Sequence, residues 1–355
     1  MPNTIIIGSG SYLPTKIIGR KDFHDSIFYT DEGEKIEKPI EEVIQKFVEI
    51  TEIENRRYLE DDEFNSDLGH RAAVKAIEDA GINQEDLDYI IFASNFGDVD
   101  KNGMSNFMPS ISSRLKNKLG IKNRRCVNYD MIFGCPGWVE ALVLADTLIK
   151  AKKGKLILVV GAETLSRVTD AYDRNKMIFA DGAGAVVVQA TDQENVGIIA
   201  DSTICDSGVE LGYLENSPSL KLDEDRSKLY IRMHGRKIYE YALKNVPDAI
   251  KETIDKAGLD IDDIDKILIH QANAKMDYAM ISRLFKLYGR TEYDHAIAPM
   301  TIQEFGNSSV ATIPTMFDLI RKGEMENQKF SEKSNIVFAS VGAGMNINAV
   351  VYRFP

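Results

Sequence analysis

Three residue types that together support nucleophilic catalysis stand at matching points in two similar stretches of this chain. Cys135 and Asn307 each follow a Phe-Gly pair, one in each half of the sequence. A second internal similarity relates residues 76–95, AIEDAGINQEDLDYIIFASN, to residues 253–273, TIDKAGLDIDDIDKILIHQAN. His270 ends the strand predicted in the later stretch. A thiol, an imidazole and a carboxamide in one pocket supply a nucleophile, a base and an orienting amide.

The setting of Cys135 favours a reactive thiol. It stands at the start of a predicted helix, and Pro136 suits the first turn because its missing N–H needs no partner there. The positive end of a helix dipole favours the thiolate form. The alternative is that Cys135 is a small buried apolar residue, as most cysteines are. Cys126 and Cys205 lack this setting, and we interpret them as structural.

A polar quartet, His-Gln-Ala-Asn, directly follows the predicted strand Lys266–Ile269. The end of a buried strand is where α/β proteins often place site residues. His270 is therefore a candidate base, and the alternative is a hydrogen-bonded structural histidine. Asn273 is either an orienting residue of the site or the N-cap of a helix over residues 274–287.

Asn307 occupies, in the second half, the position that Cys135 occupies in the first. This correspondence favours a role in the site over simple capping of the following helix. Downstream, Gly342-Ala343-Gly344 precedes another predicted strand. Backbone N–H groups in such a loop suit an oxyanion hole, although the motif alone equally fits a tight turn.

Strand-like apolar runs alternate with helical patterns along the chain, which predicts an α/β fold. Four sequence features occur in the same order in each half: an Ala-Gly pair that ends a helix, a Phe-Gly-X start of a helix, a basic residue and glycine that end that helix, and a Gly-Ala-Gly motif before a strand. They predict an internal duplication. We place the halves at residues 1–195, which carry the cysteine, and 196–355, which carry the histidine and asparagine. Residues 28–43 are predicted to be a charged insertion and residues 207–228 an irregular surface segment. The predicted strands are Thr4–Ile7, Tyr89–Ala93, Leu156–Val160, Gly184–Val188, Lys266–Ile269, Ile336–Ala339 and Ala349–Tyr352.

Composition excludes several classes of function. The net charge of −12 over 355 residues argues against a broad nucleic-acid-binding surface. No apolar run approaches the roughly 20 residues that cross a bilayer, and the first ten residues, MPNTIIIGSG, do not resemble a secretory signal. Three cysteines without CxxC spacing argue against zinc and against a disulfide framework. The glycine motifs lack the spacing of a dinucleotide site. We therefore predict a cytoplasmic protein that binds neither membrane nor nucleic acid.

Together these features resemble the β-ketoacyl-acyl-carrier-protein synthase III family of thiolase-fold condensing enzymes. The resemblance runs from IIIGSGSYLP near the N-terminus to the closing VVYRF, which is essentially the full length. It implies an α/β fold with a thiolase-like five-layer αβαβα architecture made from two duplicated halves, and usually a homodimer. It also implies a Cys-His-Asn triad that needs no metal or other cofactor. The most specific marks are the quartet His270–Asn273, Gly306-Asn307 with Ile313-Pro314 after it, and the stretch FADGAGA at Phe179–Ala185.

The resemblance also implies a reaction. Cys135 would accept an acyl group from an acyl-CoA or acyl-carrier-protein (ACP) phosphopantetheine thioester. His270 and Asn307 would hold the thioester oxygen of malonyl-ACP, or of another acyl-ACP, while it loses carbon dioxide. The resulting carbanion would attack the acyl group and give a 3-oxoacyl product. The backbone N–H groups of Cys135 and Ala343 would form the oxyanion hole.

Positions around the expected substrate depart from the family pattern. Its usual CoA-binding Trp and Arg correspond here to Lys46 and Ile50, which favours a primer delivered by acyl-carrier protein. Met108 falls where an aromatic residue often caps the acyl pocket of the partner subunit, and it suggests room for a longer acyl chain. The other residues predicted to bind substrate or carrier are Arg174, Met233, Asn273, Lys275 and Arg283.

Three other readings remain open. The first is a specialised ketosynthase that joins two acyl thioesters into a dialkylresorcinol-type precursor. The second is an acyltransferase that moves the acyl group from Cys135 to an oxygen or nitrogen acceptor, but Asn307 argues against it because that amide serves decarboxylation. The third is a non-catalytic partner in a heterodimeric synthase, against which the presence of all three triad residues argues.

Overall fold

Fifteen strands and eight α-helices, numbered in chain order, form the computed structural model, which describes all residues from 1 to 355. The strands of the two large sheets are β1 (Asn3–Tyr12), β4 (Tyr89–Ala93), β7 (Val127–Met131), β8 (Leu156–Thr164), β9 (Asp181–Thr191), β10 (Gly197–Cys205), β13 (Lys266–Ile269), β14 (Asn335–Gly342) and β15 (Asn346–Arg353). The remaining strands pair in twos and are β2 (Lys16–Ile18), β3 (Arg56–Tyr58), β5 (Asp98–Val99), β6 (Ser105–Asn106), β11 (Leu214–Pro218) and β12 (Leu229–Met233). The helices are α1 (Ile40–Thr51), α2 (Asn65–Ala80), α3 (Ile111–Lys118), α4 (Gly137–Lys150), α5 (Gly235–Lys256), α6 (Ala274–Leu287), α7 (Ile302–Phe305) and α8 (Thr312–Arg321).

Both large sheets use the same strand order. The first runs β1-β9-β8-β4-β7, with β4 parallel to both of its neighbours and the other pairs antiparallel. The second runs β10-β15-β14-β13, with only the last pair parallel. Strand for strand the second sheet repeats the first, and β7 alone has no counterpart. The predicted boundary at residues 195 and 196 lies between β9 and β10, and the division into halves remains a prediction.

Three hydrophobic clusters arrange helices and sheets in alternating layers. Helix α2 covers the outer face of the first sheet, where Leu68 packs among residues of β4, β8 and β9. Helices α4 and α8 lie between the sheets, and Trp138 and Phe317 join one cluster with residues of both sheets. Helices α5 and α6 cover the outer face of the second sheet with Ile250 and Leu284. The layers are therefore αβαβα, and the predicted fold class is confirmed.

The predicted strands and helices agree best with the observed ones where the hydrophobic pattern of the sequence is strongest. Strands β4 and β13 have the predicted ends, and the other predicted strands extend further on one or both sides. The predicted helix over residues 274–287 matches α6, with the Asn273 side chain accepting a hydrogen bond from the N–H of Met276. The prediction of an irregular segment at residues 207–228 is partly wrong. Strand β11 forms there because β12 pairs with it, although its sequence LENSP has little strand preference.

Candidate active site

Two loops, one before α4 and one between β14 and β15, meet at Cys135. Gly134 has a φ of +67°, a conformation that glycine adopts without strain. A methyl group on Gly134 would lie 2.7 Å from the backbone nitrogen of Ala343, and one on Gly342 would lie 2.4 Å from the backbone nitrogen of Cys135. Only glycine permits so close an approach. The structure thus places side by side the two loops whose N–H groups were predicted to form an oxyanion hole.

Asn346 ties these two loops together, and sequence reasoning did not identify it. Its Nδ2 donates to the carbonyl oxygen of Ala343 at 2.8 Å and to that of Phe133 at 3.4 Å. Both acceptors flank the predicted oxyanion hole, so the amide fixes the distance between the loops. The signal in the sequence is a polar residue that directly follows Gly-Ala-Gly-Met and opens a mainly apolar strand.

His270 lies at the end of β13 and is almost completely buried. Its backbone N–H donates to the carbonyl oxygen of Ala339 at 2.8 Å, which continues the pairing of β13 with β14 past the end of the strand. Its Nδ1 is buried and has no hydrogen-bond partner of good geometry, and the backbone of Ser309 is the group that faces the ring. The imidazole is therefore positioned by packing more than by hydrogen bonds.

Asn307 is held by the first half of the chain. Its N–H donates to the carbonyl oxygen of Ile178 at 2.9 Å, and its carbonyl oxygen accepts from the N–H of Ala180 at 2.8 Å. The side-chain Oδ1 accepts from the N–H of Ser309 at 2.8 Å. This bond fixes the amide plane and leaves the NH2 group as a donor for a ligand. The N-cap positions of the following helical turns are Ser308 and Ala311, so Asn307 is not the N-cap residue of either turn.

Ser309 is the residue at which the three predicted catalytic side chains converge, and sequence reasoning missed it. Its hydroxyl lies beside the Cys135 thiol, its backbone faces His270, and its N–H binds Asn307. Its φ is +53°, in the left-handed region that a serine seldom adopts. Such a conformation persists only where the surroundings impose it. The sequence around Ser309 gives no indication of this conformation or of these contacts.

Burial governs the protonation of both reactive groups. It raises the pKa of the Cys135 thiol to about 11, an effect that the nearby Ser309 hydroxyl reduces. Burial also lowers the pKa of His270 to about 4. Cys135 keeps some exposed surface toward a cavity, but protein atoms surround its sulfur closely, so we expect desolvation to dominate. Both groups are neutral at pH 7. The expectation of a resting thiolate is therefore wrong, because desolvation outweighs the hydrogen bonds that favour the anion.

A buried carboxyl group lies close to the thiol. Glu163, near the end of β8, is fully buried, and burial raises its pKa to about 8. Its Oε1 accepts from the backbone N–H of Asn95 at 2.7 Å and from Nδ2 of the same residue at 2.8 Å. The same Nδ2 lies 3.4 Å from Oγ of Ser309. After burial and the Ser309 hydroxyl, the charge of ionised Glu163 is the next influence on Cys135, and it raises the thiol pKa.

We expect Glu163→Gln to accelerate alkylation of Cys135 by iodoacetamide several-fold at pH 9. Above pH 8 the native carboxylate opposes thiolate formation, and the neutral amide removes that repulsion while its oxygen still accepts from Asn95. The measurement is the rate of carbamidomethylation of the Cys135 peptide against pH. Glu78→Gln on an exposed face of α2 is the matched control and should change nothing. An unchanged rate in the Glu163 variant would show that its charge does not reach the sulfur.

Cys135 opens onto a cavity of about 430 Å³ with a mainly apolar lining. Leu165, Phe179 and Ile231 form its inner wall, and Leu211 and Ile132 border it where it opens to solvent. A volume of this size lies in the range of sites that bury organic ligands. His270 and Asn307 do not belong to the lining, and they are linked to Cys135 through Ser309 instead.

A second, larger cavity of about 770 Å³ lies next to the first. The consecutive residues Ile178 and Phe179 line one cavity each, so the two cavities are adjacent. Three of the residues predicted to bind substrate or carrier, Arg174, Met233 and Asn273, line this second cavity. Lys46 lines it as well, with Lys38, Ile50 and the carboxylate of Glu42.

The other predicted binding residues lie elsewhere. Lys275 and Arg283 are exposed on α6 and line neither cavity. Met108 is also highly exposed and lines neither. The structure contains no group of three or more His, Cys, Asp or Glu side chains arranged to hold a metal ion. None of its helices has both the length and the apolar character that spanning a membrane requires.

Comparison with known families and proteins places the chain among condensing enzymes. Residues 129–207 match the family model for 3-oxoacyl-[acyl-carrier-protein] synthase III, and residues 254–354 match the model for the C-terminal part of the same enzymes. The chain is 32% identical to the β-ketoacyl-[acyl-carrier-protein] synthase III of Staphylococcus aureus strain JH1 over 99% of each protein. It is also 32% identical to the enzyme of the same name from Erythrobacter litoralis over the full length of both.

Solved structures of enzymes with the same or a related name superpose on nearly the whole chain. The 3-oxoacyl-[acyl-carrier-protein] synthase III of Aquifex aeolicus superposes with a TM-score of 0.80 at 27% identity, over 99% of this chain and 100% of the other. The priming β-ketosynthase of the R1128 polyketide pathway superposes equally well, with a TM-score of 0.80 at 26% identity over 99% and 96% of the two chains.

Proposed function

Because the chain belongs to the 3-oxoacyl-[acyl-carrier-protein] synthase III family, we propose that it joins an acyl group on Cys135 to a malonyl unit on acyl-carrier protein, with loss of carbon dioxide. The observation that carries this proposal is the convergence of Cys135, His270 and Asn307 on Ser309. The enzyme is thus an acyltransferase that forms a carbon–carbon bond.

In the first half-reaction the sulfur of Cys135 attacks the carbonyl carbon of an acyl thioester. The bond from that carbon to the carrier sulfur breaks, and the proton of the Cys135 thiol leaves with the carrier thiol. The carbonyl oxygen becomes an oxyanion in the tetrahedral intermediate, where the N–H groups of Cys135 and Ala343 stabilise it. The apolar cavity beside Cys135 receives the acyl chain.

In the second half-reaction the thioester oxygen of the malonyl unit accepts hydrogen bonds from His270 and Asn307. The bond to the carboxylate breaks, carbon dioxide leaves, and the electron pair forms an enolate whose negative charge these donors stabilise. The enolate carbon then attacks the acyl carbonyl, the bond from that carbon to the Cys135 sulfur breaks, and the released sulfur takes up a proton from solvent. The low pKa of His270 suits this role, since a neutral imidazole donates one hydrogen bond without trapping the enolate as a strong ion pair.

The larger cavity is the proposed path of the phosphopantetheine arm of acyl-carrier protein, the partner of this enzyme. Its lining provides Arg174, Lys38 and Lys46 against a single carboxylate, Glu42, in a chain whose net charge is −12. These cations suit the phosphodiester of the arm. Met233 and Asn273 would contact the arm deeper in the cavity. Lys275 and Arg283, exposed on α6, would face the carrier itself.

A homodimer is part of the proposal. Strand β7 is the edge of the first sheet, and Tyr129 and Val127 on it are exposed. Ile132 and Met108 add further exposed apolar surface. An unpaired edge strand with exposed apolar side chains favours pairing with a second copy. We propose no cofactor beyond the thioester substrates, and cytoplasmic localisation.

A specialised pathway is the second candidate. The similarity to a priming polyketide ketosynthase favours it, as does an apolar cavity larger than a short primer requires. In that case the two acyl thioesters would both carry long chains, as in a dialkylresorcinol-type precursor. Transfer to an oxygen or nitrogen acceptor has no supporting observation.

The test is to incubate the protein with acyl-CoA and, separately, with acyl-carrier thioesters of increasing chain length. Mass spectrometry should detect the acyl group on the Cys135 peptide, and malonyl-carrier added next should release carbon dioxide. Faster loading from the carrier supports acyl-ACP as the primer donor. Acylation without carbon dioxide release would replace the condensing role with acyl transfer, and no acylation from any thioester would contradict both.

A further inference from the structure

A small enclosed space lies under the start of α6, away from both cavities described above. Its volume is about 10 Å³, enough for one water-sized sphere. Asp277 projects into it, and Tyr278, Tyr293 and His295 provide aromatic walls. The apolar part of the lining includes Met300 and Ile269, which directly precedes His270.

The carboxyl group of Asp277 has no protein partner. The residue is 1% exposed, and neither Oδ1 nor Oδ2 accepts a hydrogen bond from any protein group. Burial, together with the nearby charge of Glu52, raises the pKa of Asp277 well above its usual range. A buried carboxylate without partners is costly, so either a proton or a bound cation must accompany it.

A second carboxylate adds to the negative potential. Glu52 accepts hydrogen bonds from the hydroxyl of Tyr278 at 3.1 Å and from Nε2 of Gln303 at 3.0 Å. Neither Glu52 nor Asp277 forms an ion pair with any lysine, arginine or histidine of the chain. His295, the one titratable nitrogen at the space, is exposed, and its ring lies tilted against that of Tyr293 with the ring centroids 4.8 Å apart.

We propose that Asp277 binds a monovalent cation of about the size of a water molecule, ammonium or potassium, in this space. The two free carboxylate oxygens supply the charge that the ion needs, and aromatic ring faces attract cations. A water molecule fits the same volume but leaves the carboxylate charge uncompensated. A divalent ion such as magnesium is disfavoured because it keeps several bound waters, for which a space of this size has no room.

The position of the site gives the cation a structural effect. The N–H of Asp277 donates to the carbonyl oxygen of Asn273 at 3.0 Å, so the residue belongs to the first turn of α6. Gln271 in the preceding turn binds the N–H of Thr301 at 2.8 Å and that of Ile302 at 3.0 Å. A cation at Asp277 would therefore stabilise the turn that begins with His270.

The test compares thermal unfolding of the full chain in potassium, ammonium and choline chloride at a common ionic strength of about 0.1 M. A specific ion should raise the unfolding midpoint by about 3 °C over choline, and the shift should grow with its concentration. Stabilisation by ammonium alone identifies ammonium, and equal stabilisation by both ions identifies a general monovalent site. This readout needs no substrate, so its result is independent of the proposed condensing activity.

Asp277→Asn is the discriminating variant, because it keeps the size of the side chain and removes its charge. It should abolish the cation-dependent shift, whereas Asp248→Asn, on an exposed face of α5, should retain it. An equal shift in both variants, or none in the native chain, would overturn the proposal in favour of a protonated carboxyl group. If the Asp277 variant does not fold, crystals of the native chain grown in rubidium chloride decide the question. An anomalous peak beside the Asp277 carboxyl oxygens supports the site, and its absence contradicts the site if potassium stabilises the native chain.

Discussion

Cys135→Ser should abolish formation of the acyl-enzyme. The serine hydroxyl is a far weaker nucleophile than the thiol, and no neighbouring base compensates, because burial lowers the pKa of His270 to about 4. The loss of loading should be about 10³-fold or more, which is the scale on which nucleophile removal acts. The measurement is the rate at which the acyl mass appears on the intact protein after mixing with an acyl-carrier thioester.

The control for this variant is Cys205→Ser, because Cys205 is exposed and does not line the cavity. It should load at the native rate. Serine differs from cysteine by one atom, so unfolding midpoints of the two variants should agree, and any loss of loading then reports chemistry. An acyl adduct that survives in Cys135→Ser but disappears in Cys205→Ser would identify Cys205, and not Cys135, as the nucleophile.

Much of the fold follows from repetition in the sequence. The similar stretches at residues 76–95 and 253–273 each contain the end of a helix and the following strand. The first comprises the end of α2 and β4, the second the end of α5 and β13, and the two strands hold equivalent places in their sheets. Period and length fix such elements locally, so β4 and β13 match their predicted ends. Strand β11 was missed because its pairing with β12 is a non-local interaction that the polar stretch LENSP does not announce.

The site was only partly predictable for a related reason. The three triad residues stand out by type and by their place after strands or Phe-Gly pairs. Ser309 and Asn346 act through backbone contacts that only the folded loops create, namely a φ of +53° and bonds to two carbonyl oxygens. The pKa of Cys135 also depends on enclosure, and no local pattern reports how deeply a helix start is buried.

Before substrate binds, the groups of the resulting site carry little charge. Cys135 and His270 are both neutral at pH 7, and a pKa near 8 keeps most of Glu163 protonated there. In the proposed reaction, new negative charge develops on the reacting oxygens, where neutral donors are already in place. Preorganised neutral donors stabilise an enolate without first having to release a bound counter-ion.

Asn307→Ala should separate the two half-reactions. Its NH2 group is the proposed donor to the enolate oxygen, and removing one such donor slows reactions of this kind by about 10²–10³-fold. We therefore expect carbon dioxide release from malonyl-carrier to fall by that factor. Loading of Cys135 should stay within about tenfold of the native rate, since the proposed oxyanion hole of that step lies on Cys135 and Ala343.

Asn307→Asp tests the donor role more sharply than the alanine variant. The aspartate keeps an oxygen that accepts from the N–H of Ser309, a bond of 2.8 Å in the native chain. It loses the NH2 donor and introduces a charge that repels the enolate. Loading should then be closer to native than in Asn307→Ala, while decarboxylation should be slower still. If the aspartate variant condenses at the native rate, the amide does not stabilise the enolate, and Asn307 serves only to hold Ser309 in place.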